Sequence, residues 1–498
     1  MSIALKARSL TGHLASWASE LAPADVPARI RELVKSQLLS QLACARAGLG
    51  HPLGDKAVRA LGSPLQPDPK GAACALAALT GWLSFDDSAY GGHLSHSTVN
   101  VPLAYASSWG VDGAQLLMAI TVANECAARV TAAATLGGFR GQGASYTHLA
   151  GAVAARMRAE DAPVERWLDA FGLAFGMPPR TLYRGLLGSD AKVLAAATPV
   201  RAGLDACDAA YAGLAGAADI LEHPHGFLDA FAAVPLARSI TAGLGERWHT
   251  DTLSFKIRPG VPGVDAAVDC ALELRREIGD VALDDIKEVV VHCAAYTKGI
   301  ERAVAEYLDG PRSPVSALTF SPSYAIATAL LAGALTPADF APPNVADPDR
   351  WELATRVRLE HDAAMTRRSR QSVAPVGEAL REAGADAARE WLASNGAQDV
   401  SDIADLEPPR ESFEHVEKVT PARLFVRLGD GRTFERAREI PIGAAGADTR
   451  RRHRELVREK FAGCGGATEV ADMVEALEHA SARDVAGLLA GALGTPRI

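Results

Sequence analysis

The chain has 498 residues, 48% of them hydrophobic and 22% charged, and a formal net charge of −9. That length exceeds one simple core and the composition excludes wholesale disorder, so two or more packed domains are expected. The acidic balance, with no Lys/Arg-rich run, argues against nucleic acid as a partner, and an anionic ligand would need a locally positive site. The seven cysteines are widely spread and form no C-x-x-C pair, so neither a disulfide framework nor a zinc site is suggested. The N-terminus, MSIALKARSLTGHL, lacks the apolar core of a signal peptide. Apolar runs such as LLMAITVA (116–123) are too short to span a bilayer. A reducing cytoplasm and no membrane partner are the expectation.

The first 80 residues read as helices. Between Asp25 and Gly48, Ile30, Leu33, Val34, Leu38 and Leu42 fall on one face, with Pro27 in the first turn and Gly48 at the end. Residues 70–83 are apolar all round, the mark of a buried helix. Next comes SFDDSAYGGHLSHSTVNVP (84–102), a glycine-interrupted loop crowded with Asp86, Asp87, Ser88, His93 and His96. Polar, titratable loops between buried helices are where chemistry sits; the plainer alternative is a solvated turn whose aspartates cap the next helix. Residues 112–130 are buried again, and Glu125 and Arg129 stand i,i+4 and neutralise one another. Residues 137–157 run from a glycine-rich loop into an Ala-rich helix, with Ser145 as N-cap. The loop lacks the Lys-Ser/Thr of a Walker motif and no strand precedes it; Arg140, Gln142 and loose amides suit a carboxylate, the alternative being a plain helix-helix connection.

Near residue 252 the texture changes. TLSFKIR alternates like a strand, IKEVVVHC (286–293) is a β-branched run, RVRLEHD (356–362) alternates, and 422–440 reads as a hairpin turning at Asp430-Gly431. The helical stretch 264–278 lies between them. The last sixty residues return to helix, where Ser481 and Asp484 form a capping box and Val485, Leu488, Leu489 and Leu493 share a face. The fold class is therefore mostly α: a large helical domain (1–250 and 440–498) with an inserted α+β lid (251–439).

In this order the segments resemble the MmgE/PrpD family, which includes 2-methylcitrate dehydratase, cis-aconitate decarboxylase and iminodisuccinate epimerase. The family's Asp-Asp-Thr loop is matched by Asp86-Asp87-Ser88, and its Val-x-Pro entry to a long helix by Val99 through Pro102. Its Glu-x-x-x-Arg is matched by Glu125 and Arg129, its Lys-x-Leu by Lys192 to Leu194, and its Ser-x-Lys by Ser254 to Lys256. Phe320 to Tyr324, Asp430-Gly431-Arg432 and Lys460-Phe461 continue the series. The departures fall in the chemistry: Ser84 replaces an Asp, Ser95-His96-Ser97 a His-Pro, Arg140 a histidine, and Ala195 another histidine. The resemblance implies a homodimer, a cleft between domains, no metal or organic cofactor, and a small di- or tricarboxylate as ligand.

Such chemistry needs cations for carboxylates and one group that moves a proton. Lys192, Lys256 and Arg140 are the cations, and Arg140, which keeps its proton, clamps rather than acts as base. His96 is the first choice as base, then His93, with His148 a weaker candidate. Asp86 or Asp87 orients a histidine or contacts the substrate, with Gln142 beside them, and Ser88 takes the place of the family's threonine. Tyr324 donates to a leaving hydroxyl or an enolate. A rival reading makes Asp86, Asp87, His93 and His96 metal ligands. The expected reaction is dehydration or decarboxylation, the alternatives being epimerisation or a non-catalytic relative that binds carboxylates.

Overall fold

The computed structural model describes residues 9–90, 92–137 and 143–494. Helix α1 (Ala28–Leu49) buries Ile30, Leu33, Val34, Leu38 and Leu42 as the periodicity predicts. It runs past Gly48 and is capped at Gly50. Gly48 has a different role from the helix end expected of it: a Cβ there would come within 2.0 Å of the Leu79 carbonyl oxygen of α2 (Pro69–Gly81), so the missing side chain lets the two helices close on each other.

Helix α3 (Gly113–Ala133) starts at an Asp112–Gln115 capping box and is buried from Leu116 to its end. At 21 residues it is long and apolar enough to cross a membrane by length and composition, more than the run 116–123 suggests, because the helix continues through Asn124, Glu125 and Arg129. Those ionic residues fasten the chain ahead of the second domain. The Glu125 carboxylate accepts from the backbone N–H groups of His249 (3.0 Å) and Thr250 (2.9 Å). Arg129 donates to the carbonyls of Ala242 and Arg247, both at 2.7 Å, and stands 3.4 Å from Glu125. Helix α4 (Gly143–Ala159) begins before Ser145, whose hydroxyl bonds Thr181 (2.7 Å) instead of capping.

The strand expected over TLSFKIR is two residues long. β2 (Ser254–Phe255) pairs antiparallel with β1 (Asp87–Ser88), joining the polar loop to the first residues of the second domain. Beyond it, α5 (Asp265–Ile278) and α6 (Pro322–Ala332) pack on a four-stranded sheet of β3 (Ile286–Cys293), β4 (Val357–His361), β5 (Ala422–Leu428) and β6 (Thr433–Arg438), in the order β4-β3-β5-β6. β3 and β4 are parallel and the other pairs antiparallel. Val289, Val291, Leu424 and Val426 point into this core, and Gly431, with φ +89°, makes the expected hairpin turn.

Helices α7 (Ala447–Gly463) and α8 (Ala482–Leu493) share one hydrophobic core with α1 and α3, through Val457, Phe461, Leu488 and Leu489. Arg46 of α1 reinforces this by donating to the Cys464 carbonyl (2.9 Å). Residues 373–416 do not join the sheet: Val373, Leu380, Trp391, Ile403 and Phe413 form a separate small core with Tyr90, Ala132, Leu136 and Leu236 of the helical side.

Candidate active site

The loop after α2 is shaped by its own side chains. Ser84 takes a left-handed backbone (φ +49°), a rare and strained state for a residue with a Cβ. Phe85 is pinned by Lys460, whose ammonium lies 4.0 Å from the ring centroid and donates to its carbonyl and to Ser40 (2.8 Å). After β1 the chain reverses between Ala89 and Gly92, where Gly92 has φ +108° and a Cβ would strike the Thr147 hydroxyl at 2.7 Å.

Asp87 closes the turn. Its carboxylate accepts from the N–H groups of Leu94 (3.1 Å) and Ser95 (3.3 Å), from the Ser95 hydroxyl, and from Gln37 Nε2 (2.7 Å). Expected to meet substrate, Asp87 is instead fully engaged in holding the loop. Asp86 points the other way and is likewise not a free substrate ligand but the hub of the site. One oxygen meets Lys256 Nζ at 2.9 Å; the other meets His93 Nδ1 at 2.7 Å and His96 Nε2 at 3.1 Å. Burial alone would raise this carboxyl, yet Lys256, His93 and His96 hold it well below the usual carboxylate range, so it stays ionised.

The two histidines differ in what remains free. His96 is buried with both ring nitrogens engaged, Nε2 at Asp86 and Nδ1 at the Thr80 hydroxyl (2.9 Å). His96, expected as the base, thus has both nitrogens near polar partners and offers a substrate less than His93 does. His93 directs Nδ1 to Asp86 and to the Asp87 carbonyl (2.8 Å), which fixes the proton there; among the described residues its Nε2 has no hydrogen-bond partner. Burial, with the charge of Lys256 added, pushes His93 below its ordinary value against the pull of Asp86, so the neutral base form prevails near pH 7. His148 meets His96 edge-on at 5.1 Å with Nδ1 unpartnered, and burial holds it neutral.

Lys192 and Lys256 both reach the loop. Lys192 is buried, donates to the Ser84 hydroxyl and to Thr319 Oγ1 (3.4 Å), and sits 4.8 Å over the Phe320 ring. Burial, with Lys256 adding to it and Asp86 opposing, lowers its ammonium to about 7. Ser88 accepts from Lys418 Nζ at 2.8 Å. Sequence reasoning passes over Lys418, because a lysine in SFEHVEKVT, just ahead of a strand, looks like any solvated charge. Tyr324 is absent from this cluster: its hydroxyl donates to the Asp339 carbonyl (2.5 Å) and its ring packs on Phe340 and Trp351 inside the second domain, which corrects its expected role as proton donor. Arg140 and Gln142 lie outside the described residues. Metal ligation by the loop does not fit the donor directions, since Asp86 and Asp87 diverge and Lys256 occupies the Asp86 carboxylate. Among the described residues no three His, Cys, Asp or Glu side chains are placed to share an ion.

Residues 12–237 match the MmgE/PrpD N-terminal domain and residues 263–389 the MmgE/PrpD C-terminal domain. A cis-aconitate decarboxylase of Aspergillus terreus is 25% identical over 393 residues, covering 71% of this chain and 78% of the relative. With both domains matched in order across most of its length, this chain belongs to the MmgE/PrpD family.

Proposed function

We propose that this chain is a lyase that removes water or carbon dioxide from a small di- or tricarboxylic acid, with His93 moving the proton beside a carboxylate. The observation that supports this reading is the Asp86–His93 pair: one imidazole nitrogen fixed on a buried, ionised carboxylate that also meets Lys256, and the other without a hydrogen-bond partner among the described residues. The family and the decarboxylase relative support the reaction class.

In dehydration, neutral His93 Nε2 takes the proton from the carbon next to a carboxylate, and the imidazolium formed is stabilised by Asp86. Charge delocalised onto that carboxylate is met by a lysine ammonium. The hydroxyl on the neighbouring carbon leaves as water with a proton from Lys192, whose ammonium near pH 7 is acidic enough to give it up. In decarboxylation carbon dioxide departs first and its bonding electron pair stays on carbon; the fraction of His93 protonated from solvent then gives its proton to that carbon and returns to neutral imidazole. The homodimer expected from the resemblance belongs to the same proposal and is tested by light scattering.

The test is to incubate the protein in heavy water with citrate-like hydroxy acids and with cis-aconitate, following products by proton NMR. An unsaturated acid from a hydroxy acid, or a decarboxylated acid carrying deuterium on carbon, supports the reading. No product and no exchange with any of these acids would refute it.

A further inference from the structure

Side chains along 84–88 alternate. Ser84, Asp86 and Ser88 each meet a buried lysine from a different segment, Lys192, Lys256 and Lys418, while Asp87 turns away toward Gln37. Among the described residues, only the middle lysine has a carboxylate within ion-pair reach. Lys418 is held in place by its backbone, whose N–H donates to the Ala445 carbonyl (2.8 Å), and its ammonium has the Ser88 hydroxyl as its hydrogen-bond partner. Ser88, Lys256, Asp265 and Lys418 line a void of about 20 Å³, room for one water-sized group. Asp265 and Asp86 act on the Lys418 ammonium only from beyond ion-pair reach, and a buried ammonium so weakly compensated is costly, so such a site either loses its proton or takes an anion.

We infer that Lys418 is a second carboxylate-binding cation of the site, taking one end of a diacid whose other end lies at Lys192. The inference rests on the reading given above and names its ligand class: at least two carboxylates, set apart along the 84–88 face. The void accepts a carboxylate oxygen but not a carbon chain, so the rest of the ligand lies outside it. The proton balance agrees. Burial lowers Lys418 to about 8, with Lys256 adding to it and Asp265 and Asp86 opposing, and lowers Lys192 to about 7. An arriving dianion restores both ammonium charges, so binding takes up protons.

The experiment titrates the full chain calorimetrically at pH 8 with succinate, glutarate and citrate, and with butyrate as the one-carboxylate control, in buffers of high and low ionisation enthalpy. The wild type is expected to prefer at least one di- or triacid over butyrate and to take up about half a proton or more on binding it. Lys418→Met should weaken that acid about tenfold to a hundredfold, toward butyrate, and Lys418→Arg should retain most of the affinity. Equal affinity in wild type and Lys418→Met, or binding without proton uptake, overturns the inference and leaves the lyase reading standing. A wild type that binds none of the acids overturns both. If Lys418→Met does not fold, the preference and the proton uptake of the wild type, compared with Lys418→Arg, decide the matter.

Discussion

Asp86→Asn removes one charge and almost no volume, which makes it the sharpest probe of the site. Asp86 and Lys256 are 2.9 Å apart with side chains 1% and 2% exposed, so the change leaves a buried ammonium without its partner. Breaking a buried pair from one side costs about 3–5 kcal/mol. At about 2.1 cal/mol/K per residue, unfolding 498 residues as one unit carries an entropy near 1 kcal/mol/K, so Tm should fall by about 3–5 °C. Turnover should fall by about 10²–10⁴-fold, because His93 Nδ1 no longer faces a carboxylate that fixes its proton and stabilises its imidazolium. A second variant separates the two effects. Asp86→Asn combined with Lys256→Met removes the orphan charge and should recover most of the stability, since an apolar replacement of a buried pair is often neutral, but none of the turnover. Calorimetric unfolding and steady-state rates for the three proteins make the measurement. A single variant within about 1 kcal/mol of wild type would refute the argument, as would a double variant no more stable than the single one.

Steady-state kinetics should also separate the two histidines: His93→Ala should lower turnover by about 10²–10⁴-fold with ligand affinity little changed, and His96→Ala by clearly less. Equal losses would return His96 to the base role. The depressed lysines set a pH dependence of stability whose sign is fixed: the unfolded chain binds more protons than the folded one between the folded values, about 7 for Lys192 and about 8 for Lys418, and the ordinary 10.5. Stability should therefore rise with pH across that window by up to about 1.4 kcal/mol per unit for each lysine, and the slope should flatten in Lys192→Met and Lys418→Met when denaturant unfolding is followed from pH 7 to 10. Gly113→Ala should lower stability by about 1–3 kcal/mol or more, read by thermal unfolding, because the added Cβ would stand 1.6 Å from the Leu477 carbonyl oxygen. An unchanged Tm would mean that this close approach is absent.

What the sequence made legible was decided by local physics. The face of α1, the Ser481–Asp484 box of α8 and the Asp430–Gly431 turn follow from periodicity, capping and left-handed backbone preference, all of which act within a few residues. The alternation over 252–258 predicts a strand, and only Ser254–Phe255 forms one because its partner across the seam is just Asp87–Ser88. Position within a motif points Tyr324 at the site, but its place is set by the Asp339 carbonyl and the Phe340 and Trp351 rings, which no spacing reveals. His96 and His93 are indistinguishable as letters. The difference between them depends on Thr80, sixteen residues before His96, whose hydroxyl meets His96 Nδ1 while Asp86 takes Nε2; in His93 it is Nδ1 that faces Asp86. Lys418 shows the same gap from the other side, since only the fold tells a buried lysine from a solvated one.

The placement of the chemistry at the seam has a structural logic of its own. Lys256 reaches Asp86 because its own backbone N–H donates to the Asp86 carbonyl (3.2 Å), one step beyond the β1–β2 register. Phe255 N–H donates to the Gly443 carbonyl (2.7 Å), and Gly443 can lie there only without a side chain, since a Cβ would come 2.1 Å from the Phe255 carbonyl oxygen. Two residues on, the Ala445 carbonyl accepts from Lys418 N–H, and the Ala445 N–H donates to Ser254 Oγ (2.9 Å). The segments 86–88, 254–256, 418 and 443–445 are thus stitched into one strap, and that strap delivers Asp86, Lys256 and Lys418 together. The same backbone contacts that hold the helical part against the α+β part also set the charges around the loop. Parting the seam would separate Lys256 from Asp86 and so remove the next effect, after burial, that holds His93 below its ordinary value.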